Sequence, residues 1–255
     1  MTHLTIRNLW HEYAGKIVLE QINLDVQPRS FCTVAGPSGC GKSTFLRILL
    51  AQEQPTRGTI ELDGKPLPGE PGPDRGVVFQ RYSVFPHLSV LDNVVLGLEF
   101  RKARLSGRLF GAARRRAEDE AKAYLEAVGL SAARDSHPHA LSGGMRQRLS
   151  IAQALIRKPK LLLLDEPFGA LDPGTKSAIH ELVLQLWEET KMTIFLVTHD
   201  LAEGFKLGTR LLIFDKVRHD PQAPNRYGAT LTYDIALDRR TVSISDLPPL
   251  ERRVA

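Results

Sequence analysis

Phe31-Cys32-Thr33-Val34-Ala35 is a short apolar run that passes directly into Gly36-Pro37-Ser38-Gly39-Cys40-Gly41-Lys42-Ser43-Thr44. A helical pattern follows from Ser43 through Leu50. The middle stretch fits G-x-x-x-x-G-K-[ST] in full. Its glycines let the backbone curl so that successive N–H groups point at phosphate oxygens. The following helix adds the positive end of its dipole. Lys42 is expected to reach the β- and γ-phosphates of a nucleotide, and the Ser43 hydroxyl to sit on Mg²⁺. A glycine-rich turn can match such a pattern by chance. A strand before it and a helix after it are the context that separates a phosphate loop from that coincidence. Cys40 reads as a small residue tolerated in the loop.

Outward from the loop, the chain alternates strands and helices. Leu4 to Leu9 and Ile17 to Val26 alternate in polarity, as half-buried strands do. Pro55 to Pro73 is rich in Gly and Pro around one short strand, Thr59 to Leu62, and reads as a surface hairpin. Gly76 to Gln80 is another short strand, and Val90 to Gly129 is helical and polar. Leu161 to Leu164 and Thr193 to Val197 are fully apolar, as strands covered on both faces should be. Arg210 to Phe214 is a further strand, Ile179 to Trp187 an amphipathic helix, and Ala229 to Leu237 an edge strand before a loose tail. This order predicts an α/β fold with a mainly parallel sheet and right-handed crossovers.

Composition narrows the class further. The 255 residues are 42% hydrophobic and 25% charged, which excludes disorder for the bulk of the chain. No apolar run approaches the roughly 18 residues of a membrane-spanning helix. Met1 to Arg7 has no apolar core of a signal peptide. Cys32 and Cys40 alone can make neither a disulfide framework nor a zinc site, so the chain reads as cytosolic and reduced. The net charge of +5 suits an anionic partner, be it nucleotide, nucleic acid or lipid.

Two more stretches carry chemistry. The strand Leu161 to Leu164 ends in Asp165-Glu166-Pro167, which places two carboxylates at the carboxyl edge of the sheet, where ligands of open α/β sheets bind. Asp165 would hold Mg²⁺, and Glu166 could polarise an attacking water. An isolated acidic pair would more simply cap a turn, and the phosphate loop upstream tips the balance. Leu141-Ser142-Gly143-Gly144-Met145-Arg146-Gln147-Arg148 combines a good helix cap, Ser142, with two glycines that expose backbone N–H groups. It is either an ordinary capped helix or a second phosphate site. One nucleotide cannot easily use both, so the second site suggests the nucleotide of a partner subunit.

With this signature the sequence resembles the ATP-binding subunits of ABC (ATP-binding cassette) transporters, over roughly residues 4–217. The resemblance implies a P-loop NTPase (RecA-like) core with a mainly parallel sheet, an antiparallel β subdomain and a helical signature subdomain. It divides the chain into a cassette, 1–217, with the helical part inserted at about 86–148, and a short extension, 218–255. ATP would contact the loop from Gly36 to Thr44, including Pro37, Ser38, Gly39, Cys40 and Gly41, and Tyr13 would stack on adenine. Gln80 looks like the Q-loop glutamine that contacts Mg²⁺ and the water, so Ser43, Gln80 and Asp165 form the expected metal set. Ala170-Leu171-Asp172 resembles the D-loop, and His199 the switch histidine near the γ-phosphate. Glu166, His199, Gln80 and Lys42 are the expected catalytic set. Ser142, Gly143, Gly144 and Asp172 would reach a nucleotide across a dimer.

The resemblance also implies partners. Two cassettes, expected to be identical, would pair head to tail beneath a separate integral membrane permease, on the cytoplasmic face of the membrane, with an external solute-binding protein. Arg81 to Val90 resembles the groove for the permease. The chain is most similar to the nitrate, sulfonate, taurine and bicarbonate importer group, which implies ATP hydrolysis coupled to uptake of a small polar solute. No nucleic acid is expected; a soluble ABC ATPase acting on nucleic acid or ribosomes is the alternative that the basic charge would suit. The basic run Arg101 to Arg116 is either a solvated helix face or a contact with anionic lipid.

Overall fold

A computed structural model describes residues 2–79, 83–102, 108–169, 171–223 and 225–237. The chain opens with β1 (Leu4–Tyr13), β2 (Lys16–Val26), β3 (Phe31–Ala35) and α1 (Lys42–Leu49). Next come β4 (Arg57–Leu62), β5 (Lys65–Pro66), β6 (Arg75–Val78), α2 (Val90–Lys102), α3 (Gly111–Ala127) and α4 (Gly143–Leu155). The second half holds β7 (Leu161–Asp165), α5 (Pro173–Thr190), β8 (Thr193–Val197), α6 (Leu201–Leu207), β9 (Arg210–Asp215) and β10 (Thr230–Ala236).

The strands form two sheets. An antiparallel one runs β2-β1-β4-β5, and a larger one runs β10-β9-β3-β8-β7-β6. Its inner pairs are parallel, and β10 closes the edge antiparallel to β9. The expected parallel sheet, antiparallel subdomain and edge strand are therefore all present. β3 and β8 are buried at every position, the mark of central parallel strands covered on both faces.

Packed apolar cores hold these parts together. Phe45 of α1 lies between the sheets, its ring 6.0 Å from Phe195 and 5.1 Å from Phe214. Ile6 and Leu24 of the antiparallel sheet join the same core. On the other face of the parallel sheet, Leu162, Leu164 and Ile194 pack against Leu155 of α4 and Ile179 and Val183 of α5. Val94, Leu98, Leu125 and Leu149 make a third core among α2, α3 and α4. So α4 has one side in the helical subdomain and the other on the parallel sheet.

Several boundaries differ from the sequence reading. β1 continues past Leu9 to Tyr13, because bulges between Ile6 and His11 break the alternation and Asn8 takes a positive φ of 47°. α5 begins at Pro173, six residues before Ile179, since the Asp172 side chain caps it and Pro suits its first turn. α6 is a short helix capped by Asp200 and absent from the sequence reading.

Residues beyond 217 add the edge strand of the larger sheet and a single bridge to the antiparallel one. Ala229 lies in a parallel bridge with Leu19 of β2, and its N–H donates to the Val18 carbonyl at 2.9 Å. One residue later β10 begins, with Thr230 opposite Asp215 of β9. No helix among the described residues is long and apolar enough to cross a membrane.

Candidate active site

The loop between β3 and α1 is shaped by its glycines. Gly36, Gly39 and Gly41 have φ of 149°, 78° and 92°. A Cβ on Gly36 would stand 2.1 Å from the Phe214 carbonyl oxygen, so only glycine lets β9 approach this closely. Gly41, in the left-handed region, is the N-cap of α1 and has no side chain to satisfy the first N–H groups. Those donors stay available to an anion. The ammonium of Lys42 is buried and donates to the carbonyls of Gly36 and Pro37 at 2.8 and 2.9 Å. Carbonyl dipoles alone hold this cation poorly, and a phosphate would complete its shell. Cys40 is buried, and burial pushes its thiol up, so it does not present a reactive thiolate.

The second wall comes from the ends of β7 and β8. The Ser43 hydroxyl donates to Asp165 Oδ1 at 3.3 Å. Burial raises Asp165 above the usual carboxylate range, against the Ser43 hydrogen bond that lowers it. A half-buried carboxylate raised in this way favours a cation beside it. Glu166 follows in the left-handed region, φ 48°, where the chain leaves the strand. It meets the imidazole Nε2 of His199, on the loop after β8. Both border a pocket of about 410 Å³ whose floor is Lys42, Ser43 and Gly39.

Tyr13 stands at the rim of this pocket, 42% exposed, at the end of β1. Its hydroxyl donates to the Glu53 carboxylate, and its ring meets His11 edge-on at 4.6 Å. Burial and then Glu53 raise its phenol above its ordinary value, so it stays a neutral ring. The sequence reading missed Lys16 and Val18, which complete the rim. They lie at the start of β2, and only the packing of β2 beside the loop reveals them.

The signature lies elsewhere. Ser142 caps α4, its hydroxyl accepting from the Met145 N–H at 3.3 Å, and Gly143 and Gly144 form the first turn. None of the three lines the 410 Å³ pocket. A Cβ on Gly144 would stand 2.2 Å from Thr175 Cγ2, so the start of α4 packs tightly on the start of α5. Asp172 caps α5 by accepting from the Thr175 N–H at 3.0 Å, which lowers its carboxyl. Signature and Asp172 thus share one surface. Gln80 and Ala170 lie outside the described residues, as do Arg81, Tyr82 and Arg104.

A groove of about 330 Å³ separates the parallel sheet from the helical subdomain, between Phe79, Phe85 and the α2 residues Asn93 and Gly97. Phe85 is 40% exposed there. In the basic run, Arg114 is neutralised by Asp92, Glu99 and Glu118, whereas Arg115 and Arg116 face solvent.

A mainly parallel α/β sheet with a glycine-rich phosphate loop, a strand-end acidic pair and a histidine just past the end of the neighbouring strand defines a P-loop nucleoside-triphosphatase. The family model described as ABC transporter matches residues 19–169. An uncharacterized ABC transporter ATP-binding protein of Methanocaldococcus jannaschii is 40% identical over 92% of this chain and 83% of its own. The nitrate import ATP-binding protein NrtD of Synechocystis sp. is 41% identical over 83% of this chain and 77% of its own. The taurine import ATP-binding protein TauB of Escherichia coli O157:H7 is 42% identical, with shares of 82% and 78%. Among solved structures, the ATP-binding cassette MJ0796, in a dimeric post-hydrolysis state bound to ADP and Pi, aligns with a TM-score of 0.73. It is 28% identical over 92% of this chain and 99% of that one. The chain belongs to the ABC transporter family and is an ATP-hydrolysing subunit of it.

Proposed function

We propose that two copies of this chain close head to tail on two ATP molecules and so power import of a small polar solute through a separate membrane permease. One observation carries the reading. The pocket gathers the phosphate loop, Glu166 and His199, while the Ser142 signature sits on another surface of the same chain. Each chain thus offers two halves of different sites. A second copy, turned head to tail, supplies the missing half of each. The resemblance to a cassette described as dimeric supports this arrangement. Relatives named as nitrate and taurine import subunits support uptake over the soluble, nucleic-acid-directed alternative. The 330 Å³ groove is then the seat of the permease, which places the chain peripherally on the cytoplasmic face of the membrane. An external solute-binding protein completes the importer.

Within each site, Gly36 to Thr44 would wrap the phosphates with backbone N–H groups, and Lys42 would exchange its carbonyl partners for phosphate oxygens. Ser43 and Asp165, with Gln80 from the family pattern, would hold Mg²⁺. The ion would neutralise phosphate charge there. Glu166 orients and polarises the water, and His199 fixes the Glu166 carboxylate while standing near the γ-phosphate. Tyr13 offers its ring face to adenine.

Affinity capture of a Glu166→Gln variant from native membranes with ATP and Mg²⁺ tests the whole reading. A stoichiometric polytopic membrane protein is expected. Recovery with nucleic acid or soluble partners alone would overturn the importer assignment.

A further inference from the structure

Glu203, on α6, is a buried acid outside the nucleotide pocket. Its Oε2 accepts from the hydroxyl of Thr198, the residue immediately before His199. Its Oε1 pairs with the ammonium of Lys176 on α5, which also donates to Asp200 Oδ2 at 3.2 Å. His180, one turn further along α5, points Nε2 at the same carboxylate from 3.6 Å. The His180 ring in turn meets Phe168 edge-on, with centroids 4.6 Å apart. Phe168 is two residues after Glu166, and Lys176 is four residues after Asp172, whose carbonyl accepts from the Lys176 N–H at 2.9 Å. One carboxylate therefore touches, directly or through one side chain, the three loops that carry Glu166, Asp172 and His199.

Burial of a charge is costly unless it is paired and hydrogen-bonded. Here the pairing partners come from separate elements, so the carboxylate is satisfied only when α5, α6 and the β8 loop keep one arrangement. Thr198 has a second tie in the same sense. Its hydroxyl accepts from the Asp200 N–H at 3.0 Å, so both sides of His199 are anchored to it. A shift of the Asp172 end of α5 would drag Lys176 and be felt at Thr198 through two contacts.

We propose that Glu203 is a positioning residue: through Thr198 and Lys176 it sets His199 against Glu166 and links that alignment to the Asp172 end of α5. The inference rests on the dimeric ATPase reading for its consequence but not for its geometry. In that reading, arrival of the second copy at Asp172 is relayed to His199, so hydrolysis waits for closure. Glu203 touches no reacting atom.

The test uses the full chain with Glu203→Gln, Lys176→Met and the near-isosteric pair Thr198→Val and Thr198→Ser. Turnover at saturating ATP is expected to fall at least tenfold in the first three variants, with KM for ATP within twofold of the parent. Thr198→Ser, which keeps the hydroxyl, is expected to rescue. In nucleotide-free protein, the His199 imidazole NMR resonance, assigned by its loss in His199→Ala, is expected to move in the first three variants and to stay in Thr198→Ser. That signal reads the positioning even if the dimeric reading fails. Unchanged turnover with an unmoved His199 resonance would overturn the proposal. Equal losses in Thr198→Val and Thr198→Ser, or a parallel rise of KM, would reduce the cluster to structural packing and overturn it as well. Lys176 lies at the cluster's solvent edge, so Lys176→Met keeps the test decisive if Thr198→Val does not fold.

Discussion

The imidazole of His199 and the carboxylate of Glu166 meet across the mouth of the phosphate-loop pocket, although 33 positions of chain separate their numbers. β7 and β8 are parallel neighbours, with Asp165 opposite Val197, so the residues just past their ends arrive side by side. Glu166→Gln removes the basic oxygen and keeps the shape. ATP hydrolysis is expected to fall by about 10²-fold or more, as for loss of a general base. ATP affinity should remain, and size-exclusion chromatography should show an ATP-dependent dimer. A monomer that turns over normally would contradict the role.

Asp165 illustrates a conflict between stability and function. Burial raises its carboxyl above the unfolded value, so its ionised form opposes folding at neutral pH. Asp165→Asn keeps an acceptor for Ser43 and removes the charge. Calorimetry without nucleotide should show a higher Tm for the variant than for the parent chain. The same variant should lose the added stability that Mg²⁺ and ATP give the parent chain.

Glu203 predicts the acid limb of stability. Burial alone would raise its carboxyl; His180, Lys176 and Thr198 outweigh that and hold it at about 2, against an ordinary value of 4.5. A depressed native value means that its contribution is complete above pH 4.5 and is lost as pH falls toward 2. Urea midpoints measured from pH 7 to pH 2 should therefore fall less steeply below pH 4.5 in Glu203→Gln than in the parent chain. Parallel curves would show that the pairing adds nothing.

The contact of Gly144 with Thr175 predicts a rescue. Gly144→Ala places a methyl group on Thr175 Cγ2 and should destabilise by roughly 1–3 kcal/mol, the usual cost of overpacking. Adding Thr175→Ser removes the opposing methyl while keeping the backbone N–H that Asp172 accepts. Thermal unfolding of the double variant should return most of the loss.

What was legible in the sequence was what is contiguous. The phosphate loop, the Asp165-Glu166 pair and the Ser142 cap each lie within one short stretch with strand or helix beside it. Contacts made by the fold were not legible. Lys16 and Val18 reach the pocket only because β2 lies against the loop. Glu203 gains its role from partners on α5 and before His199, none adjacent in sequence. The late start assigned to α5 has a local cause. Asp172-Pro173 is a capping signal, but the apolar periodicity becomes clear only at Ile179, where the helix meets the sheet. The far half of β1 is hidden in the sequence because its bulges disrupt the period of two that marks a strand.

The joint at Ala229 has a mechanical consequence. Two adjacent residues tie different sheets, Ala229 through a single bridge to β2 and Thr230 through the ladder with β9. A force drawing the end of the chain away along β10 would load the β9–β10 ladder and the hydrogen bonds of this bridge together, instead of peeling them one by one. Val18, a wall of the nucleotide pocket, is the residue whose carbonyl holds that rivet. The pocket wall is therefore pinned to a segment more than 200 positions away in the chain.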